Sequence, residues 1–134
     1  MTTIFQKIID GEIPCCKVYE NEYVLAFLDV APLSRGHTLI IPKQPVAFLH
    51  ELTEESGRAL GEALVKVSKA VVEVTGVSDY NILQNNGATA NQAVFHVHFH
   101  IIPKPSVQSG LRMEWESSEL IDGQALAEEI QNAI

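Results

Sequence analysis

Gln92-Ala-Val-Phe-His-Val-His-Phe-His-Ile-Ile-Pro103 carries three of the chain's five histidines at alternate positions, His96, His98 and His100, interleaved with Val97, Phe99 and Ile101. Successive side chains of a β-strand point to opposite faces, so a period of two sets all three imidazoles on one wall. Phe95, Val97, Phe99 and Ile101 then form the other wall, which is expected to bury against a core. Pro103 offers no amide to a ladder, so the strand is predicted to end there. On a helix the histidines would spread around the axis, and the β-branched and aromatic content favours strand.

Three histidines on one wall have three readings. They are incidental, they share a metal ion, or they perform imidazole chemistry. Chance is a poor account of three in register out of five. A metal site would want a carboxylate or thiolate nearby, and none lies between His100 and Glu114. Nucleophilic or acid–base catalysis suits a group that titrates near neutral pH and is the favoured reading.

The whole chain sets bounds on that chemistry. Its 134 residues suffice for one domain with a proper core, over 1–134, with the sheet-forming core at 3–104 and an arm and helix at 105–134. A net charge of −8 and a pI near 5.0 argue against duplex nucleic acid, whose phosphates need a basic footprint. A single nucleotide held by backbone amides and neutral histidines stays compatible. No apolar run reaches the length of a membrane span, and the N-terminus does not read as a signal peptide. Cys15 and Cys16 are adjacent, a spacing that rarely bridges, so a reducing intracellular setting, the cytoplasm, is expected.

Residues 3–11 read as a short helix with Ile4, Phe5, Ile8 and Ile9 as its apolar face and Gly11 as its stop. Lys17–Glu20 and Tyr23–Asp29 read as a hairpin turned at Asn21-Glu22. Asp29 ends an apolar run, which suits either a strand-end turn or a ligand contact at a sheet rim. A third strand is predicted over His37–Pro42, and His37 gains significance only if that strand lies beside the histidine strand. His50 has no partner in register and reads as structural. Thr53 is expected to cap a long helix whose stripe is Leu60, Leu64, Val67, Val71 and Val74, ended by Gly76. A fourth strand, Asp79–Gln84, is followed by the small polar loop Asn85–Gln92, whose amides can approach an anion. Beyond Pro105 an irregular arm carries Leu111, Met113 and the lone Trp115; it is expected to lie on the body or on a second subunit. Asp122 is predicted to cap a last helix with Leu126 and Ile130 on its apolar face.

The stretch His96-Val-His-Phe-His-Ile-Ile102 resembles the histidine triad motif of the HIT superfamily of nucleotide hydrolases and transferases. Similar stretches fall in order at Ile4–Pro14, Ala26–Asp29, Gly36–Lys43 and Gln84–Gly87, and the pattern is most like the Hint branch of nucleoside phosphoramidases. The resemblance implies an α+β, HIT-like fold with a five-stranded, mainly antiparallel sheet. It also implies a homodimer in which the two sheets run together, with the Trp115 arm at or near the interface. By position, His98 matches the nucleophile, and His96, His100 and His37 match the other active-site histidines. Asp29 matches the ribose-binding carboxylate. Phe5, Ile8, Phe27, Leu28, Val30 and Leu39 match the purine pocket, and Asn85 and Gln92 match contacts to the phosphate or its ester. Ala93 stands at a substrate-facing position where many Hint proteins have serine. Thr3 and Gln6 replace the paired cysteines that hold zinc in some relatives, and Pro45 replaces a histidine, so neither metal nor other cofactor is expected. The implied substrate is a purine nucleoside monophosphate joined to an amine. Dinucleoside polyphosphate hydrolysis, nucleotidyl transfer, a regulatory nucleotide-binding module and a metalloenzyme are the alternatives.

Overall fold

The computed structural model describes residues 2–134. Five strands, β1 (Lys17–Glu20), β2 (Val24–Leu28), β3 (Thr38–Pro42), β4 (Tyr80–Gln84) and β5 (Phe99–Pro103), form one antiparallel sheet in the order β1-β2-β3-β5-β4. Three α-helices accompany it: α1 (Ile4–Ile9), α2 (Glu54–Thr75) and α3 (Gly123–Ala133). The expected α+β architecture is the observed one.

The sheet is covered on both faces, which explains why β2 and, past Thr38, β3 are apolar rather than alternating. Val24, Ala26, Ile40 and Ile101 pack beneath Leu60, Ala63, Val67 and Val71 of α2. Leu25, Phe27, Leu39 and Ile41 point the other way and pack on Phe5 of α1. Each such side chain contributes roughly 1.5–3 kcal/mol by leaving water, so the sheet is clamped from both sides. Thr3 caps α1 through the Gln6 amide at 3.2 Å, and Thr53 caps α2 through the Ser56 amide at 3.1 Å. Gly76 ends α2 in the left-handed conformation.

Several expectations need correcting. The ladder of β5 begins at Phe99, so His96 and His98 lie in the extended approach rather than in the strand. The reason is the lack of a neighbour, because β3 and β4 pair with β5 only as far as Phe99. Val97 instead donates its amide to the Val46 carbonyl at 2.9 Å. Phe95 is half exposed, whereas Val97 and Ile101 are fully buried as expected. On α2 the buried stripe passes through Ala63, and Val74 is exposed near the helix end. His50 lies exposed, stacked on Phe48 with ring centroids 5.7 Å apart. Asp122 stands at the head of α3 without making a capping bond, and Trp115, Leu126 and Ile130 touch the body too little to be buried.

Gly36 is a glycine that the fold cannot replace cheaply. Its φ is +92°, and a Cβ there would meet Thr75 Cγ2 at 2.7 Å. Gly36→Ala is expected to cost about 1–3 kcal/mol of stability through backbone strain and this contact, read as a lower urea midpoint with an unchanged slope.

Candidate active site

Asp29 and His37 sit one residue beyond the facing ends of β2 and β3, joined by the loop 30–36. The Asp29 amide donates to the His37 carbonyl at 3.0 Å, and Asp29 Oδ1 accepts the Ala31 amide at 2.8 Å. Pairing of β3 with β5 sets Leu39 opposite His100. His37 thereby reaches His100, with Nε2 of the first 2.9 Å from Nδ1 of the second.

The hydrogen bonds assign a tautomer to each ring. His37 Nδ1 accepts the Leu33 amide at 3.1 Å, so the neutral ring carries its proton on Nε2 and donates it to His100 Nδ1. His100 is then protonated on Nε2. His98 donates from Nδ1 to the His96 carbonyl at 2.7 Å, which leaves its Nε2 as a bare lone pair. His96 donates from Nε2 to the Pro42 carbonyl at 2.8 Å and is buried. The edge of Phe5 lies against His98 at 4.9 Å between centroids, and His98 meets His100 at 5.1 Å.

His98 and His100 open into a cavity of about 360 Å³. Its walls are hydrocarbon from Phe5, Ile8, Phe27, Leu39, the partly exposed Leu28 and the exposed Val30, with Ala93 beside them and Asp29 as the one carboxylate. An apolar slot with an acid, an imidazole donor and an imidazole lone pair at one end suits a flat base, a sugar and a phosphorus centre in that order.

A model of the HIT domain matches residues 10–107. The chain belongs to the HIT domain family. It is 48% identical over 136 aligned residues to the adenosine 5′-monophosphoramidase hnt1 of Schizosaccharomyces pombe, with 100% of this chain and 99% of that protein covered. It is 40% identical to the adenylylsulfatase HINT3 of Arabidopsis thaliana over 88% of this chain and 65% of that one. A crystal structure of a HIT family member from Bacillus subtilis superposes with a TM-score of 0.93 at 38% identity, covering 100% of this chain and 98% of the other.

Within this HIT fold most of the residues singled out from sequence converge, and two do not. Gln92 is buried in the loop that precedes the histidines. Its carboxamide accepts the Gly87 amide at 2.7 Å and donates to the carbonyls of Ala47 at 2.8 Å and Val94 at 3.1 Å. Asn85 bonds the Asn91 carbonyl at 3.4 Å, and neither side chain lines the cavity. Both hold the loop's shape. Conversely Ile13, Pro14, Cys15 and Val94 line the cavity and carried no chemical signal in the sequence. Ile13, Pro14 and Cys15 are wall supplied by the segment after α1, and Val94 by the approach to the histidines. On the far side of His96 a second cavity is lined by Thr3, Gln6, Pro45 and Phe95. The ligand atoms of Asp29, His37 and His100 lie within 4.8 Å of one another, a spacing that also suits a metal ion.

Burial governs the protonation of the cluster. It pushes His37, His96 and His98 below the ordinary imidazole range, and His100 down to about 4, helped by the neighbouring His98 and His37. All four rings are therefore neutral at pH 7, as a nucleophile and hydrogen-bond donors require. In the unfolded chain the rings bind protons near pH 6.5, earlier than in the folded one, so stability from this cluster is complete above that pH. It falls as pH drops from about 6.5 toward the folded value of about 4 for His100. His100→Gln is expected to flatten that part of the stability curve, checked by urea denaturation at pH 7.0, 6.0 and 5.0 in both proteins.

Proposed function

We propose that the protein hydrolyses purine nucleoside 5′-monophosphates joined through phosphorus to an amine, by way of a nucleotidyl-histidine. The observation that carries this reading is His98, whose proton is tied to the His96 carbonyl while its other nitrogen lies free at the cavity. A lone pair fixed in direction and borne by a neutral ring is a nucleophile ready to attack. Identity of 48% to a fission-yeast adenosine 5′-monophosphoramidase over the full chain supports the same substrate class.

In the first step His98 Nε2 bonds to the α-phosphorus and the phosphorus–amine bond breaks, the amine leaving with a proton taken up from solvent, which the attacking water of the second step returns. In the second, water attacks phosphorus, the phosphorus–imidazole bond breaks, and the monophosphate departs with His98 restored. His100, protonated on Nε2, donates to a phosphoryl oxygen and stabilises the charge gathering there. His37 positions His100 by fixing that tautomer, and His96 anchors the backbone whose carbonyl orients His98. Asp29 accepts from the ribose hydroxyls, and Phe5, Ile8, Phe27, Leu28, Val30 and Leu39 enclose the base. Gln92 and Asn85 act on the phosphate indirectly, by holding the loop amides near it.

Mixing the protein with excess-free adenosine 5′-monophosphoramidate, quenching within one turnover and weighing the intact chain tests the scheme. An adduct of one AMP is expected, absent in His98→Ala, whose kcat should fall by about four orders of magnitude or more while AMP still binds. Loss of nucleotide binding together with turnover would make His98 an anchor rather than a nucleophile.

A second reading has its own support in the plant relative titled an adenylylsulfatase, at 40% identity. Ala93 lines the cavity without a hydroxyl to offer the leaving group. Ala93→Ser is expected to change the ratio of kcat/KM for adenosine phosphoramidate over adenylyl sulfate and over a dinucleoside polyphosphate by about tenfold, roughly one hydrogen bond's worth. An unchanged ratio would remove this position from leaving-group selection.

We also propose that the protein works as a homodimer joined along β4. That strand is a sheet edge, and Tyr80 and Ile82 on it and Val65 on α2 are exposed beside one apolar groove.

A further inference from the structure

Five of the seven residues in the loop between Asp29 and His37 are exposed; Ser34 and Gly36 alone are drawn inward. Among the described residues the hydrogen bonds of this loop are local, with one exception. The Ala31 amide holds Asp29 Oδ1, the Leu33 amide holds His37 Nδ1, and the His37 amide donates back to the Ser34 carbonyl at 3.1 Å. Thr38 Oγ1 donates to the Gly36 carbonyl at 2.8 Å. The exception is the Ser34 hydroxyl, which donates to the Pro103 carbonyl, 69 positions along the chain at the end of β5.

That bond ties an exposed loop to the strand that carries His100. Its acceptor is fixed, because Pro103 is fully buried and in register with Tyr80 of β4. Gly36 lets the loop come down at this point, since a Cβ on it would stand 2.7 Å from Thr75 Cγ2 and 3.4 Å from Pro103 Cγ. Ser34 also follows directly on Leu33, the residue whose amide decides the state of His37.

The consequence lies at two rings. With the Leu33 amide on Nδ1, neutral His37 has its proton on Nε2, where Asp29 Oδ2 also stands at 3.5 Å. His100 Nδ1 accepts that proton's hydrogen bond, so its own proton sits on Nε2. A loop lifted from β5 withdraws the Leu33 amide and leaves Nδ1 of a buried ring without its donor, a loss of roughly one hydrogen bond. The His37 proton is then free to move to Nδ1. In that form Nε2 turns a lone pair on His100, His100 takes its own proton on Nδ1, and a lone pair rather than a donor faces the phosphate. One tautomer exchange inverts both rings without either ring moving.

We infer that Ser34 is a positioning residue: by pinning the loop to the Pro103 carbonyl it keeps the Leu33 amide on His37, and so keeps the His100 proton on the nitrogen that serves the substrate. Its effect on turnover rests on the hydrolase reading above, whereas its effect on the tautomers does not.

Nitrogen NMR at pH 7 on the full-length protein, labelled at histidine, tests it directly, because the protonated and bare nitrogens of a neutral ring resonate far apart. In the wild type His37 and His100 are each expected in the Nε2–H form. Ser34→Ala should draw the nitrogen shifts of both rings toward an average of the two forms. It should also lower kcat for adenosine 5′-monophosphoramidate by about tenfold while KM changes by less than about twofold. Ser34→Thr keeps a hydroxyl and should restore both readings. A wild type with His37 protonated on Nδ1 would overturn the inference whether or not any variant folds. Unchanged shifts in Ser34→Ala would overturn it even if kcat fell, and averaged shifts with kcat unchanged would overturn the link to turnover. A wild type that cleaves no phosphoramidate would overturn the hydrolase reading alone, and the shifts in Ser34→Ala would still decide the role of Ser34.

Discussion

Everything at the site depends on β3 lying beside β5. That pairing places Leu39 opposite His100 and so carries His37, at the foot of β3, to within a hydrogen bond of a residue 63 positions later. The same pairing fixes which face each side chain takes, because a slip of one residue would turn His100 into the α2 core and Ile101 into the cavity. The apolar bulk on both faces sets the register. Ile40 and Ile101 are needed under α2, and Leu39 is needed against Phe5. The geometry of the histidine cluster is therefore a by-product of core packing, and the histidines inherit their precision from isoleucines and leucines.

The hydrocarbon that fixes the geometry also fixes the chemistry. Buried imidazoles, two of them against Phe5, lose water that would stabilise their charged forms, which is why burial dominates all four shifts. Neutral rings then need internal partners, and each finds one from the backbone or from another ring. These partners are also what distinguish the rings. His98 shows a lone pair because its proton points at a carbonyl, and His100 shows a proton because His37 donates to its other nitrogen. Residues of identical type acquire different capacities from which nitrogen is already occupied, by a backbone group in His98 and by the His37 ring in His100.

Much of this was legible in the sequence because the two periodicities are strong. Alternate histidines announce a wall, and the spacing of Leu60, Val67 and Val71 announces a helix lying on a sheet. The strand limits were less legible, since hydrogen-bonding neighbours, not the alternation itself, decide where a ladder starts; His96 and His98 keep the pattern without the pairing. Gln92 misled for another reason. A carboxamide beside an anion site and a carboxamide bracing the loop that forms it share one sequence position, and only the partners Ala47, Gly87 and Val94 tell them apart. Ile13, Pro14 and Cys15 were invisible because a wall has no chemistry to read. The exposed arm ran against expectation only on one side, for a hydrophobic arm that does not lie on its own body still has to lie somewhere.

The two edges of the sheet differ in a way that bears on association. At the β1 edge Lys17 and Lys43 both pair with Glu20, at 2.7 and 2.8 Å, and the register is broken by an irregularity between Lys17 and Tyr19. Charge and a bulge are the devices by which a strand refuses a further neighbour. The β4 edge, Tyr80-Asn-Ile-Leu-Gln84, has no charged residue in it, pairs regularly with β5 over all five positions, and exposes Tyr80 and Ile82. A monomer would be expected to guard both edges. Guarding one and leaving the other regular and uncharged makes β4 the edge with no device against a further neighbour.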